Sequence, residues 1–170
     1  MVTLPGRLGS LKACDVMTRD VIVLTDSNAI GDAVQMLKGQ RITGAPVVDS
    51  AGKLVGILSI SDLVQAAGSV SEEQDLPPTP LAHGEDATTW DLFEKADVLG
   101  PEVSVEEVRE RMSRKVASVT DQAPLVEVAR VMCSGHWHRV PVVDDSGSLC
   151  GIISTMDVLA AVVNTADEPG

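Results

Sequence analysis

The chain has 170 residues, of which 44% are hydrophobic and 22% are charged, a composition typical of a globular protein of one domain or two small ones. It carries 13 basic and 25 acidic residues, a formal net charge of −12, and its only aromatic residues are two Trp and one Phe. This composition argues against a nucleic-acid surface, which needs basic patches and stacking rings, and against binding to an anionic membrane.

Compartment and processing signals are also read from the sequence. No segment approaches the roughly 18 apolar residues of a membrane span, and residues 1–13 lack the apolar core of a signal peptide. The three cysteines, Cys14, Cys133 and Cys150, form no close-spaced pair, which favours reduced thiols over a disulfide framework. We therefore expect a complete, cytoplasmic protein.

The chain contains an internal repeat. The segment 46–49 reads Pro-Val-Val-Asp, and the same four residues recur 95 positions later, at 141–144. The same offset relates further identical residues: Met17 to Met112, Gly56 to Gly151, Ser59 to Ser154 and Asp62 to Asp157. The sequence therefore predicts five parts: a lead-in (1–10), a first copy (11–68), a linker (69–104), a second copy (105–165) and a tail (166–170).

Each copy predicts the order strand, helix, strand, strand, helix. A β-branched run is followed by apolar residues at helical spacing, then by two apolar runs joined by a turn rich in Asp and Gly, and then by a short apolar segment. The predicted elements are 21–24, 30–37, 45–48, 54–59 and 63–67 in the first copy, and 116–119, 125–132, 140–143, 149–154 and 158–163 in the second. A unit of about 55 residues is too small to cover both faces of its sheet, so we expect the copies to pack together.

The linker differs from both copies because it holds nine carboxylates against the single Lys95. Residues 89–95 predict a short helix with Trp90 and Phe93 on one face. Those rings either anchor the linker to the core or to a partner subunit, or they form a gate over a ligand cleft.

Both copies resemble CBS domains, and together they resemble a tandem CBS pair, the Bateman module. The residues that carry the resemblance are 46–62 and 141–157, within two copies that make up about two thirds of the chain. The resemblance implies an α/β (α+β) fold of two β-α-β-β-α units packed sheet to sheet with pseudo-twofold symmetry. It also implies ligand clefts between the copies, which in many members bind AMP, ADP, ATP or S-adenosylmethionine. Such pairs usually form a homodimer and regulate an effector protein without catalysing a reaction.

Ser59 and Asp62, and likewise Ser154 and Asp157, stand where a strand runs into a helix. On physical grounds each pair is a variant of the capping box, in which the hydroxyl and the carboxylate bind amides at the start of the helix. A helix start with unbonded amides also accepts a phosphate, and a carboxylate accepts the two hydroxyls of a ribose. The resemblance implies that the Asp residues bind the ribose and that the Ser residues lie near the phosphate.

The resemblance also implies an apolar slot for adenine, formed by the first strand and by the residues that precede each Pro-Val-Val-Asp segment. The matching residues are Thr18, Val21, Val23, Ile42, Thr43, Ala45 and Pro46 in the first copy, and Ser113, Val116, Ser118, Trp137, His138, Val140 and Pro141 in the second. Valines at strand spacing are typical of the hydrophobic core. For Trp137 we favour a ring packed at the seam between the copies over a ring that stacks on adenine.

The copies differ most at His138-Arg139, which stands opposite Thr43-Gly44 in the alignment of the repeat. This pair resembles the basic residues that point at phosphates in some nucleotide-binding members, and an Arg guanidinium matches phosphate oxygens well. We therefore expect two unequal sites. The structural alternative is a salt bridge from Arg139 to a linker carboxylate.

Three hypotheses for the function follow. The first is a regulatory module that binds an adenosine-containing ligand and modulates a partner protein. The second is a ligand-independent dimerisation or docking scaffold. The third and weakest is a metal or redox sensor built from Cys133, His136 and His138. The sequence holds no phosphate-binding glycine loop, nucleophile elbow or paired-histidine metal motif, so we expect neither an enzyme nor a catalytic cofactor.

Overall fold

A computed structural model describes residues 9–66 and 105–166. The elements of the first copy are α1 (Ala13–Val16), β1 (Leu24–Thr25), α2 (Ile30–Gly39), β2 (Gly44–Val48), β3 (Leu54–Ser59) and α3 (Ile60–Ala66). Those of the second copy are α4 (Val108–Arg111), β4 (Val119–Thr120), α5 (Leu125–Gly135), β5 (Arg139–Val143), β6 (Leu149–Ser154) and α6 (Thr155–Ala166). The predicted linker helix with Trp90 and Phe93 lies outside the described residues.

The strands form two separate three-stranded sheets with the same topology. In the orders β1-β2-β3 and β4-β5-β6, the first pair is parallel and the second is an antiparallel hairpin. The register shifts at matching places, between Val47 and Val48 and between Val142 and Val143. The predicted order of strand, helix, strand, strand, helix is therefore confirmed in both copies, and the chain has the mixed α/β fold expected of a CBS pair.

The first strand of each copy is shorter than the sequence predicts, and it begins three residues further along the chain. In the first copy only Leu24 and Thr25 pair with β2, whereas residues 21–23 lie outside the sheet. Leu24 is fully buried, but Ile22 is exposed, and Ile22 is also where the chain enters a new compact unit. The β-branched run begins before β1 because residues 21–23 lie where the chain passes from one unit to the other.

Two compact units divide the chain differently from the repeat. One consists of Met1–Val21 and Ala117–Gly170, and the other of Ile22–Val116. The segment that opens the first copy, 11–21, thus belongs to the unit of the second copy. It is held there by backbone hydrogen bonds, among them two between Thr18 and Ile152 at 2.9 Å each.

The opening segment of the second copy makes the equivalent contacts in the other unit. Ser113 and Ile57 exchange two backbone hydrogen bonds, at 2.8 and 3.0 Å, and the amide of Val108 donates to the carbonyl of Asn28 at 2.9 Å. Each unit therefore contains a hairpin and helices from one copy and the opening segment of the other.

Each unit has its own hydrophobic core, and the exchanged segment contributes to it. In the unit 22–116 the core includes Leu24, Ile30, Leu37, Leu58 and Leu63, together with Val108 and Met112 from the exchanged segment. In the other unit it includes Val128, Met132, Val140, Val142 and Ile153, together with Ala13 from the exchanged segment.

The exchanged segments approach the hairpins most closely at two glycines of the repeat. A Cβ atom added to Gly151 would lie 2.5 Å from Met17 Sδ and 3.1 Å from Met17 Cβ, and one added to Gly56 would lie 2.5 Å from Met112 Sδ. Both glycines are buried, so these positions require the smallest residue for the segment to lie flat on the strand.

We predict that Gly151→Ala lowers the free energy of unfolding by about 1–3 kcal/mol, because Met17 cannot clear the new methyl group by rotating only its distal atoms. Urea unfolding measures the change. Gly39→Ala is the matched control, since a Cβ atom there meets nothing within 4 Å, and we expect it to be neutral or stabilising. Equal stability of Gly151→Ala and the wild type would contradict the close packing described here.

Candidate functional site

The end of β6 and the start of α6 form a reciprocal capping box. The Ser154 amide and hydroxyl both donate to Asp157 Oδ2, at 2.7 Å each, and the Asp157 amide donates to Ser154 Oγ at 3.2 Å. The first copy repeats the arrangement, with Ser59 donating to Asp62 Oδ2 at 2.8 and 2.7 Å and Asp62 donating back at 3.3 Å. The predicted capping role of both pairs is therefore confirmed.

The same hydrogen bonds leave little of the helix start for a phosphate. The Thr155 amide donates to the carbonyl of His138 at 2.9 Å, and the Ile60 amide donates to the carbonyl of Thr43 at 2.8 Å. Together with the capping bonds, these contacts engage the amides of Ser154, Thr155 and Asp157 and the hydroxyls of both Ser residues. Asp157 Oδ1 accepts no hydrogen bond from the residues that the structure describes.

Arg139 lies beside this carboxylate. It is the first residue of β5 and stands directly opposite Ser154 in the antiparallel ladder, so the two side chains share one face of the sheet. Burial of about half of the side chain lowers the pKa of Arg139, and the attraction of Asp157 partly opposes that effect. Arginine still carries its charge at neutral pH.

Arg139 has no carboxylate at salt-bridge distance among residues 9–66 and 105–166. The linker carboxylates that could have paired with it lie outside this part of the chain. The guanidinium is therefore partly desolvated and is not held in an ion pair by the described residues, which is the arrangement that suits an anionic group of a ligand.

The equivalent place in the first copy lacks a cation. Gly44 stands opposite Ser59 in the ladder, where the second copy has Arg139. In addition, the Ser113 hydroxyl donates to Asp62 Oδ1 at 3.1 Å. The two carboxylates therefore differ both in neighbouring charge and in hydrogen bonding.

The remaining predicted residues fall into two groups. In the unit 117–170, Trp137 packs against the core and over Gly135, and His138 is exposed beside Arg139. The same unit also holds two other predicted contacts, Ser118 and Pro141. The unit 22–116 holds the predicted first-copy residues Val23, Ile42, Thr43, Pro46, Ser59 and Asp62, and it also holds Val116. Val116 thus belongs to a different unit from the other second-copy residues predicted to bind with it.

The residues predicted to form the adenine slot also differ in how far they are buried. Ile42 and Thr43 are 8% and 3% exposed, and Pro46 and Pro141 are also buried. Val23 and Val116 are half-buried, whereas Ser118 is exposed. Trp137 packs against the hydrophobic core of its own unit, whereas the prediction placed its ring at the seam between the copies.

The metal hypothesis gains no support from the described residues, because no three His, Cys, Asp or Glu side chains among them are grouped to hold a metal ion. Cys133 and His136 are exposed, and His136 ends α5 in a left-handed conformation with a φ of 53°. Burial raises the pKa of the Cys150 thiol, which makes it a poor nucleophile at neutral pH. Within the same ranges, no helix is long and apolar enough to cross a membrane.

The sequence placed Ser113 among the adenine-slot residues but did not indicate its contact with Asp62. Its bond joins residues 51 positions apart, across a segment exchange that the repeat does not reveal. The one available signal is its alignment with Thr18, since a small hydroxyl residue follows the repeated Met in both copies.

Comparisons with known proteins agree with this architecture. The model of the CBS domain matches residues 13–69 and 99–164. An uncharacterized protein of Methanocaldococcus jannaschii is 32% identical over 162 residues, covering 88% of this chain and 89% of its own. The chloroplastic CBS domain-containing protein CBSX2 of Arabidopsis thaliana is 29% identical over 98% of this chain and 69% of its own. The crystal structure of CBSX2 in complex with AMP has a TM-score of 0.64 at 25% identity, covering 91% of this chain and 98% of that one.

We predict that Asp157→Ala lowers the free energy of unfolding by about 1 kcal/mol, because the partly buried Ser154 amide loses its acceptor. Thermal or urea unfolding measures the loss. Asp145→Ala is the control, because Asp145 is an exposed turn residue and such substitutions change stability by less than about 0.5 kcal/mol. If both variants unfold at the same midpoint, the cap has no measurable structural role.

Proposed function

Because the chain belongs to the CBS-domain family as a tandem CBS pair, we propose that it is a regulatory module that binds an adenine nucleotide at Asp157 and Arg139 and modulates a partner protein. The observation that carries this proposal is the half-buried Arg139 opposite Ser154, next to a carboxylate whose Oδ1 is available. The CBS domain is itself non-catalytic, and an enzyme activity forms no part of the proposal.

In this proposal, Asp157 and Arg139 contact different parts of the nucleotide. Asp157 Oδ1 accepts hydrogen bonds from the ribose hydroxyls, while Oδ2 stays engaged with Ser154. Arg139 donates to phosphate oxygens, and its partial desolvation strengthens that attraction. In a protein with a net charge of −12, a local cation is what makes an anionic ligand acceptable.

The ligand class is supported by one relative. CBSX2 is crystallised with AMP, and its structure covers most of this chain at 25% identity. We extend that ligand class to this protein as AMP, ADP or ATP, and we rank S-adenosylmethionine below them because its sulfonium cation gains nothing from Arg139.

Regulation needs a difference in affinity between two conformations. A nucleotide shifts a conformational equilibrium only by as much as it binds one state more tightly than the other. We propose that a still unknown effector protein distinguishes these two states. A cytoplasmic location and a homodimer complete the proposal, and both rest on the sequence analysis and the family.

The scaffold hypothesis remains the second candidate, and one observation favours it. Helix α6 carries four apolar side chains that are 43–68% exposed: Met156, Leu159, Val162 and Val163. Such a row on one helix suits contact with another protein, including a second copy of this chain. Sedimentation at several concentrations tests the homodimer, and a Leu159→Glu variant that sediments like the wild type would remove this helix from the interface.

We predict that ATP at about 100 times its dissociation constant stabilises the protein by roughly 2.7 kcal/mol. This change raises the unfolding midpoint by several degrees in a chain of this size. AMP, ADP and S-adenosylmethionine are tested in the same way, on protein shown to be free of bound nucleotide. A midpoint unchanged by every ligand would place the docking scaffold first.

We further predict that Arg139→Gln weakens ATP binding by about 10-fold or more, because a charge-assisted contact to phosphate is lost. Adenosine binding, which uses the ribose contact alone, should change by less than about threefold. Isothermal titration measures both. Arg130→Gln, at an exposed position on α5, is the control. Equal losses for ATP and adenosine would show that Arg139 acts through the fold and not through the phosphate.

A further inference from the structure

The two exchanged segments, 11–21 and 105–116, carry different side chains at two matching positions. The repeat offset aligns Leu11 with Glu106 and Val16 with Arg111, and all four residues are partly buried. The backbone contacts at the first position are nevertheless equivalent. The carbonyls of Leu11 and Glu106 accept the first amide of α5 and of α2, at 2.9 and 2.8 Å. The segments therefore differ in the side chains that stabilise them more than in their backbone pairing.

Apolar contacts stabilise segment 11–21 at these positions. Leu11 and Val16 pack against the core of their unit together with Met17, and Ala13 is fully buried in that core. The free energy gained by removing apolar surface from water does not depend on a pair of opposite charges, and kosmotropic salts strengthen it. We therefore expect segment 11–21 to stay in place when the ionic strength rises.

Segment 105–116 has an ion pair at the same two positions. Arg111 Nε donates to Glu106 Oε2 at 2.5 Å, and Arg111 Nη2 donates to Glu106 Oε1 at 2.8 Å. Two parallel bonds of this kind are the strong geometry for an arginine and a carboxylate. The hydrogen bond from Arg111 lowers the pKa of Glu106, so the carboxylate is ionised at neutral pH.

The ion pair joins the two ends of the turn that contacts the rest of the unit. Glu106 lies two residues before α4, and Arg111 is the last residue of that helix. Between them, the amide of Val108 donates to the carbonyl of Asn28 at 2.9 Å. A helix of four residues is too short to be stable by itself, so we expect this contact to depend on the pair that closes the turn.

The neighbouring charged groups do not replace the pair. Glu107 forms its own ion pair with Arg109, and the Arg114 guanidinium donates to the carbonyl of Arg109 at 3.0 Å. Glu110 is exposed and attracts Arg111 without a hydrogen bond among the described residues. Neutralising Glu106 therefore leaves a partly buried guanidinium without its two-bond partner, and such a loss is costly.

We propose that segment 105–116 opens locally when the Glu106–Arg111 pair is neutralised or screened by salt, while segment 11–21 stays in place. Opening breaks the two backbone bonds between Ser113 and Ile57 and removes Met112 from Gly56. Ionic strength thus acts on the unit 22–116 and spares the other unit. The inference is independent of nucleotide binding, because it follows from the contacts of the exchanged segments alone.

Amide hydrogen exchange of the wild type is the first test, because each molecule contains both segments. Between about 0.05 and 1 M NaCl, we expect the protection of the Val108 and Ser113 amides to fall by about 2–5-fold, and that of the equivalent Ala13 and Thr18 amides to change by less than about 1.5-fold. Equal changes in the two segments, or no change in either, would overturn the proposal.

Variants of the ion pair are the second test. Glu106→Gln, which removes one charge and keeps the size of the side chain, should lower the protection of segment 105–116 by about 3–10-fold. The double variant Glu106→Leu/Arg111→Val copies the apolar residues of the other segment, and it should restore protection to within about twofold and remove the salt dependence. Glu110→Gln is the control, since it removes an exposed carboxylate of the same segment and should change protection by less than about twofold.

Two results of the variants would contradict the proposal. The first is a Glu106→Gln variant that is as protected, and as dependent on salt, as the wild type. The second is a double variant in which segment 105–116 keeps the salt dependence of the wild type, because that dependence would then arise from other charges.

Discussion

Backbone hydrogen bonds between an exchanged opening segment and a hairpin are the interactions on which both units depend. They pair Thr18 with Ile152 and Ser113 with Ile57, and they hold each segment so close to the strand that a glycine is required beneath its methionine. The same bonds bring core residues such as Val108 to the opposite copy's hairpin and set the Ser113 hydroxyl beside Asp62. One local pairing therefore positions core residues of each unit and, in the unit 22–116, the Ser113 hydroxyl beside Asp62.

Each capping box uses only one oxygen of its carboxylate. In both copies Oδ2 receives the serine amide and hydroxyl, which satisfies the start of the helix. The other oxygen then depends on its surroundings. In the second copy Arg139 lies across the sheet from Ser154, whereas in the first a serine donates to Asp62. The two carboxylates therefore share a motif but differ in the residues around them.

The sequence predicted the fold well where the signal is local. The repeat, the hairpins and the caps at Ser59 and Ser154 follow from turn residues, strand periodicity and a Ser and Asp three residues apart. The segment exchange was not predictable, because identical offsets arise whichever copy a segment contacts. The short edge strand was missed because residues 21–23 have strand propensity but lie at a crossing between units. The bond from Ser113 to Asp62 depends on that exchange, so the hydroxyl residue that follows the repeated Met marks the position but not its partner.

The most direct test of the central claim is a crystal structure of the protein grown with ATP. The account predicts a nucleotide whose ribose hydroxyls bind Asp157 Oδ1 and whose phosphates contact Arg139. A nucleotide bound without contact to either Asp157 or Arg139 would contradict it.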